Sequence, residues 1–112
     1  MRIGIDFDGT IAESGEARQW YLKRYFNIDL NIGEIASGED KKLITDKKEY
    51  EKYKNFVNEE GTLLGTIVKN ADTIIAKLAG EGHKIIILTG RTGKQAEYAK
   101  RFLKFMKTIY DL

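Results

Sequence analysis

The sequence predicts an α/β fold, parallel strands with flanking helices and a helical segment inserted after the first strand. Three observations predict it. Two short β-type apolar runs lie far apart in the chain, around Ile3-Gly4-Ile5 and Ile85-Ile86-Ile87-Leu88; each ends in a polar turn containing glycine; and helical apolar spacing both precedes and follows the second run. A helix feeding a buried strand is half of a βαβ unit, whose strands pair in parallel.

The first strand, Arg2 to Asp6, rests on Ile3 and Ile5 alternating with Gly4, and stops at the Asp8-Gly9 turn signal. Two helices follow. Glu16 to Phe26 carries Trp20, Tyr21, Leu22, Tyr25 and Phe26, and Asp46 to Glu60 carries Tyr50, Tyr53, Phe56 and Val57, opening with Asp46 and Glu49 in capping-box spacing. The spacing of these aromatics predicts packing between helices, with a nucleobase platform as the sharper alternative. Between the helices, Asn31 to Thr45 reads as a loop rich in Gly, Asp and Lys, and Gly61 and Gly65 mark the return to the main body. The expected organisation is an α/β core over 1–12 and 62–112 with a helical insertion over 13–61.

Asn70 is placed to cap a helix whose apolar positions Ala71, Ile74, Ile75, Leu78 and Ala79 share one face, and Gly80 and Gly82 can end it. The second strand is bounded by Gly82 and Gly90, and its unbroken β-branched run predicts burial on both faces. A last helix runs from Thr92 to about Thr108, with Ala96, Ala99, Phe102, Leu103, Met106 and Ile109 on one stripe. Lys100, Arg101, Lys104 and Lys107 lie on its other, solvated face. His83, at the opposite end of the strand from Thr89, reads as a loop residue.

Composition narrows the function classes. The chain has 112 residues, near the modal size of one domain, with 42% apolar and 32% charged residues, which argues for a packed core rather than disorder. A net charge of +2 gives no concentrated basic surface, so no nucleic-acid partner is expected. The absence of Cys removes disulfides, thiolate metal sites and cysteine nucleophiles, and the single His leaves no His cluster. No apolar run approaches a bilayer span and no signal-peptide core follows Met1, so a soluble, cytoplasmic protein without a membrane partner is expected.

Chemistry concentrates in Asp6-Phe7-Asp8-Gly9-Thr10. Side chains two apart on a strand share a face, so Asp6 and Asp8 address the cleft outside the strand's carboxyl end, where ligands bind in open α/β sheets. Two carboxylates aimed at one cleft repel, and a hard cation with oxygen ligands answers that repulsion. Mg²⁺, which keeps few protein ligands and shares substrate phosphates, fits best. One carboxylate, Asp6, can then attack phosphorus while Asp8 handles protons. Gly9 permits a tight turn, and the amides from there through Thr10 can cradle a phosphate. At the end of the second strand, the Thr89 hydroxyl, the Gly90 amide and the Arg91 guanidinium can hold the transferring phosphoryl group; Arg91 is equally suited to a salt bridge.

Asp6-Phe7-Asp8-Gly9-Thr10-Ile11 resembles the first signature motif of the haloacid dehalogenase superfamily, and Ile85-Ile86-Ile87-Leu88-Thr89-Gly90-Arg91 resembles its second. The resemblance implies a Rossmann-like core and a helical cap inserted after the first strand. It also implies a phosphoryl-transfer site in which Asp6 is phosphorylated and Asp8 is the general acid and base. Mg²⁺ is then held by Asp6 and the backbone carbonyl of Asp8, and Thr89 binds phosphate. The pattern of a short helical insertion with a threonine followed by a small residue and arginine, Thr89-Gly90-Arg91, is most similar to that of bacterial 5'-nucleotidase or deoxyribonucleotidase-like members, which implies a small phosphorylated substrate such as a nucleoside 5'-monophosphate.

The superfamily also carries a third motif, a Lys or Arg, and a fourth acidic pair on a later strand. These C-terminal strands have no counterpart here; Lys94 is the substitute cation, and Asp111 lies in the terminal tail. Three expectations stay open: a fragment of a longer protein, a homo-oligomer that completes the exposed sheet edge, or a non-catalytic phosphate- or metal-binding protein with an interaction role. A phosphotransferase of the same superfamily is a further alternative to hydrolysis.

Overall fold

A computed structural model describes the backbone of residues 1–110 and the side chains of residues 1–106. The expectations placed on the side chains of Lys107 and Ile109 and on Asp111 lie outside the described residues. The chain divides into two compact units, Met1–Glu13 with Thr66–Leu112, and Ser14–Gly65.

The first unit is a small α/β fold, Rossmann-like at a coarse level. Strand β1 (Arg2–Asp6) pairs in parallel with β4 (Lys84–Leu88), in a register running from Arg2 opposite Lys84 to Asp6 opposite Leu88. A second, two-residue antiparallel ladder joins β2 (Ala12–Glu13) to β3 (Thr66–Ile67), at the point where the chain leaves this unit and returns. Helix α5 (Ala71–Gly80) precedes β4, and α6 (Gly93–Tyr110) follows it.

Period-2 alternation decides which side of the sheet is covered. Ile3, Ile5 and Phe7 take the odd positions; Ile5 and Phe7, with Ile85 and Ile87, join Ile75 of α5 and Ala99, Phe102 and Met106 of α6 in one apolar cluster. Phe7 is fully buried and meets the Phe102 ring edge-on at 5.7 Å. Gly4, Asp6, Ile86 and Leu88 take the other face, where Leu88 is 53% exposed. This corrects the expectation of a strand buried on both sides. The described helices of this unit both contribute to the same cluster, so the β-branched run is covered on one face only.

Helix α5 also begins differently from expectation. Asn70 occupies the N-cap position but lies in the left-handed region, φ 68°, with no side-chain cap bond. Gly82, at φ +90°, makes the turn into β4 as a residue without Cβ can.

The second unit is helical. Helix α1 (Gly15–Phe26) and α4 (Lys47–Asn58) appear where aromatic spacing predicts them, and Asp46 caps α4 by accepting from the Glu49 amide at 3.0 Å. The expected loop over 31–45 instead contains α2 (Ile32–Ala36) and α3 (Glu39–Leu43). Each is little more than one turn. Asn31 and Glu34 form a reciprocal capping box at the start of α2, and Ile35 and Ile44 insert into the core with Tyr21, Leu22, Tyr53 and Val57. A 3₁₀ turn, Glu60–Leu64, closes the unit.

One charged group is buried in this core. Asp40 Oδ2 accepts from the Tyr53 hydroxyl at 2.7 Å and from Arg18 Nη1 at 3.1 Å, and Arg18 Nε reaches Ser14 Oγ at 2.9 Å. Burial, and then the bond to Asp40, push the Tyr53 hydroxyl well above its usual range, with Arg18 opposing. Burial acting alone would lower Arg18, but its interactions with Tyr53 and Asp40 outweigh that and hold the guanidinium above its ordinary value. Trp20 stacks on Phe56 at 5.3 Å and remains 45% exposed, whereas Tyr21 and Tyr53 are buried among the helices as packing predicts.

Candidate functional site

The register Asp6 opposite Leu88 sets the site. Because β1 and β4 run the same way and end level, the segments leaving them, Phe7 to Thr10 and Thr89 to Thr92, emerge from one edge of the sheet. The Phe7 amide continues the ladder by donating to the Leu88 carbonyl at 3.0 Å, which carries the pairing one step beyond the strands. Asp6, the last residue of β1, and Asp8, two residues beyond it, are both exposed.

Arg91 closes the site across the two segments. Its Nη2 donates to Asp8 Oδ1 at 2.7 Å and its Nε to Asp8 Oδ2 at 3.0 Å, a two-pronged charge-assisted pair. The Arg91 amide donates to Thr89 Oγ1 at 3.1 Å, so the Thr89 hydroxyl is drawn into the same turn. Behind the pair, the guanidinium carbon lies 5.1 Å from the centre of the Phe7 ring, and Nη1 contacts the Gln95 carbonyl at 3.4 Å. The Arg91 side chain is 8% exposed and that of Asp8 53%. Arg91 thus makes the salt bridge that its type and position allow.

The turn after β1 differs from the expected phosphate cradle. The Phe7 carbonyl accepts from the Ile11 amide at 2.9 Å, from Ala12 at 3.1 Å and more weakly from Thr10 at 3.4 Å, while the Gly9 amide donates to the Ala12 carbonyl at 2.9 Å. These amides are spent inside the turn. Gly9 has φ +78°, and a Cβ built there would meet nothing within 4 Å, so its glycine is required by the backbone dihedral rather than by close approach of another group.

Asp8, Thr89 and Arg91 are thus joined by direct bonds, and Asp6 is joined to them through the strand register. Gly90 is exposed between Thr89 and Arg91, Thr10 is exposed on the turn, and Lys94 lies exposed in the first turn of α6. Two participants were not singled out by sequence reasoning: Phe7, the floor beneath Arg91, and the Gln95 carbonyl. Phe7 had a readable signal, an aromatic on the core side between two acids on the open side.

The donor set suits a hard cation. Asp6 is exposed and offers carboxylate oxygen with room for water ligands, whereas both Asp8 carboxylate oxygens are engaged by Arg91; Mg²⁺ commonly takes one or two carboxylates and completes its shell with other oxygens, waters and phosphate. Among the described residues no group of three or more His, Cys, Asp or Glu side chains comes together. No described helix is long and apolar enough to cross a membrane.

No family model matches the chain, and neither a curated protein nor a solved structure matches it.

Proposed function

We propose that the chain is a haloacid dehalogenase-like, Mg²⁺-dependent phosphomonoester hydrolase. In this reading Ser14–Gly65 is its cap, and its substrate is a small phosphorylated metabolite, with a nucleoside 5'-monophosphate first among candidates. The observation that carries this reading is the level, parallel ending of β1 and β4, which brings an Asp-x-Asp turn and a Thr-Gly-Arg turn to one sheet edge.

In the reaction, an Asp6 carboxylate oxygen forms a bond to phosphorus as the bond to the leaving oxygen breaks, and Asp8 gives a proton to the departing alkoxide. Asp8 then takes a proton from water, whose oxygen attacks the same phosphorus; phosphate leaves and the Asp6 carboxylate is restored. The Thr89 hydroxyl and Gly90 amide hold the phosphoryl oxygens, and Arg91 and Lys94 balance their charge. Asp6, with the backbone carbonyl of Asp8, would hold Mg²⁺, which supplies charge neutralisation between Asp6 and the phosphoryl group.

A second reading, a non-catalytic phosphate- or metal-binding module, is favoured by one observation: both Asp8 oxygens are occupied by Arg91. Phosphate release from a panel of nucleotides and sugar phosphates, with Mg²⁺ and with chelator, separates the two. Mg²⁺-dependent release that disappears in Asp6→Asn is expected. Release indifferent to that substitution removes Asp6 as nucleophile, and no release from the panel favours the binding module.

A further inference from the structure

We propose that Arg91 is a partner-exchanging residue: it leaves the Asp8 carboxylate for the phosphoryl group of the ligand, so that Asp8 is disengaged only in the loaded site. This rests on the phosphate-handling reading above and adds a control to it.

The pair is asymmetric in a way that suits exchange. Arg91 is held from behind by the Phe7 ring, the Gln95 carbonyl and the turn its own amide makes with Thr89, whereas Asp8 faces solvent. The guanidinium is therefore fixed over Phe7 with its Nε and Nη2 hydrogens on the exposed partner, while the backbone amide of the same residue binds the Thr89 hydroxyl oxygen. A ligand phosphate held at Thr89 would sit two residues from this guanidinium, on the turn that the Arg91 amide itself closes. The planar fork of arginine matches phosphate as it matches carboxylate, and a phosphate dianion carries more charge than the carboxylate it displaces.

Exchange also removes an obstacle in the reaction. A carboxylate that accepts a guanidinium hydrogen on each oxygen has little capacity left for a leaving group or a water. Transfer of Arg91 to phosphate hands both oxygens of Asp8 to the reacting groups at the moment a substrate is present.

A double-substitution cycle on phosphate binding tests this. Titration calorimetry of inorganic phosphate at saturating Mg²⁺ is run on the intact chain and on Asp8→Asn, Arg91→Met and the double variant. Since a charge-assisted hydrogen bond is involved, Asp8→Asn should tighten phosphate about tenfold and Arg91→Met should weaken it about tenfold. The decisive result is the coupling: the gain from Asp8→Asn should vanish when Arg91 is Met. If the gain persists unchanged there, it reflects only removal of a repelling charge, and the exchange is overturned. Arg91→Met binding phosphate as tightly as the parent overturns it too. Should Arg91→Met fail to fold, Arg91→Lys replaces it in the cycle, where a point charge in place of a fork should lose most of the coupling. The two ideas fail differently: phosphate bound without coupling removes the exchange alone, whereas neither binding nor hydrolysis by the parent chain removes the phosphate site and the exchange with it.

Discussion

The Tyr53 hydroxyl donates a 2.7 Å hydrogen bond to Asp40 Oδ2, with Tyr53 at 0% and Asp40 at 1% exposure. A carboxylate this deep in an apolar helical core is tolerated because Tyr53 and Arg18 satisfy it from two sides. Removing it strands both partners. Asp40→Ala should lower the urea midpoint with little change in slope, corresponding to about 2–4 kcal/mol, the partial exposure of Arg18 softening the loss. Tyr53→Phe removes one bond and should cost about 1–2 kcal/mol. If Asp40→Ala proves the milder of the two, the carboxylate is not the hub of the cluster.

The same cluster gives a prediction at alkaline pH. Tyr53 is raised above the ordinary tyrosine value of 10.0, by burial first and by Asp40 second. A group whose folded value lies above its unfolded one contributes stability that is fully present below the unfolded value and is lost as pH rises toward and through the folded value. Between about pH 10 and 12 the unfolded chain has released this proton and the folded chain has kept it. Stability should therefore fall with pH by up to about 1.4 kcal/mol per unit from this residue. Tyr21, raised mainly by burial, adds a decline of the same sign. Unfolding free energies measured from pH 9 to 11.5 should show a shallower decline in Tyr53→Phe; parallel curves would assign the effect to other groups.

That Asp40 escaped sequence reasoning has a physical cause. It lies in Glu39-Asp40-Lys41-Lys42, a charged run that reads as solvated surface, and its partners are 22 and 13 positions away. The short helices α2 and α3 escaped for a related reason: a five-residue helix is too short to display a period. A capping box and buried Ile35 specify α2 instead, and buried Asp40 with Ile44 at its C-cap anchors α3. Where period was available, it was enough. The alternation at Ile3 and Ile5, the β-branched run at Ile85 and the helical stripes of α1, α4, α5 and α6 each correspond to an element in the structure. An unbroken apolar run, however, cannot report whether one or two faces are covered, and β4 is covered on one. At the site, residue type and order suggested which side chains share an edge. The partner of Arg91 depended on its distance to Asp8, which spacing does not contain.

Two glycines should respond in opposite directions to alanine. At Gly61 a Cβ would lie 2.8 Å from the Phe56 carbonyl oxygen and 2.9 Å from its ring, and a main-chain atom inside a packed turn cannot retreat cheaply. Gly61→Ala should destabilise by about 1–3 kcal/mol. At Gly80, the last residue of α5, a Cβ meets nothing within 4 Å, and alanine narrows the unfolded ensemble while favouring the helix. Gly80→Ala should stabilise by about 0.5–1 kcal/mol. Thermal midpoints that move the same way for both substitutions would contradict the local geometry at one of them.

Asp6→Asn should separate function from stability. Asp6 ends β1 exposed, and its substitution removes a charge without opening a cavity or stranding a buried partner. Exposed changes of this kind move stability within about 0.5 kcal/mol. As nucleophile, however, Asp6 supplies the bond that splits hydrolysis into two steps, and an amide oxygen cannot replace it. Phosphate release should fall by about three orders of magnitude or more, by analogy with removal of other nucleophiles, while the urea midpoint stays put. The contrast with Asp40 is diagnostic: its loss should weaken the helical unit, and activity measured well below the unfolding transition should fall far less than with Asp6→Asn. A variant at Asp6 that keeps its phosphate release, or loses it only in step with its fold, would make this carboxylate an ordinary strand end.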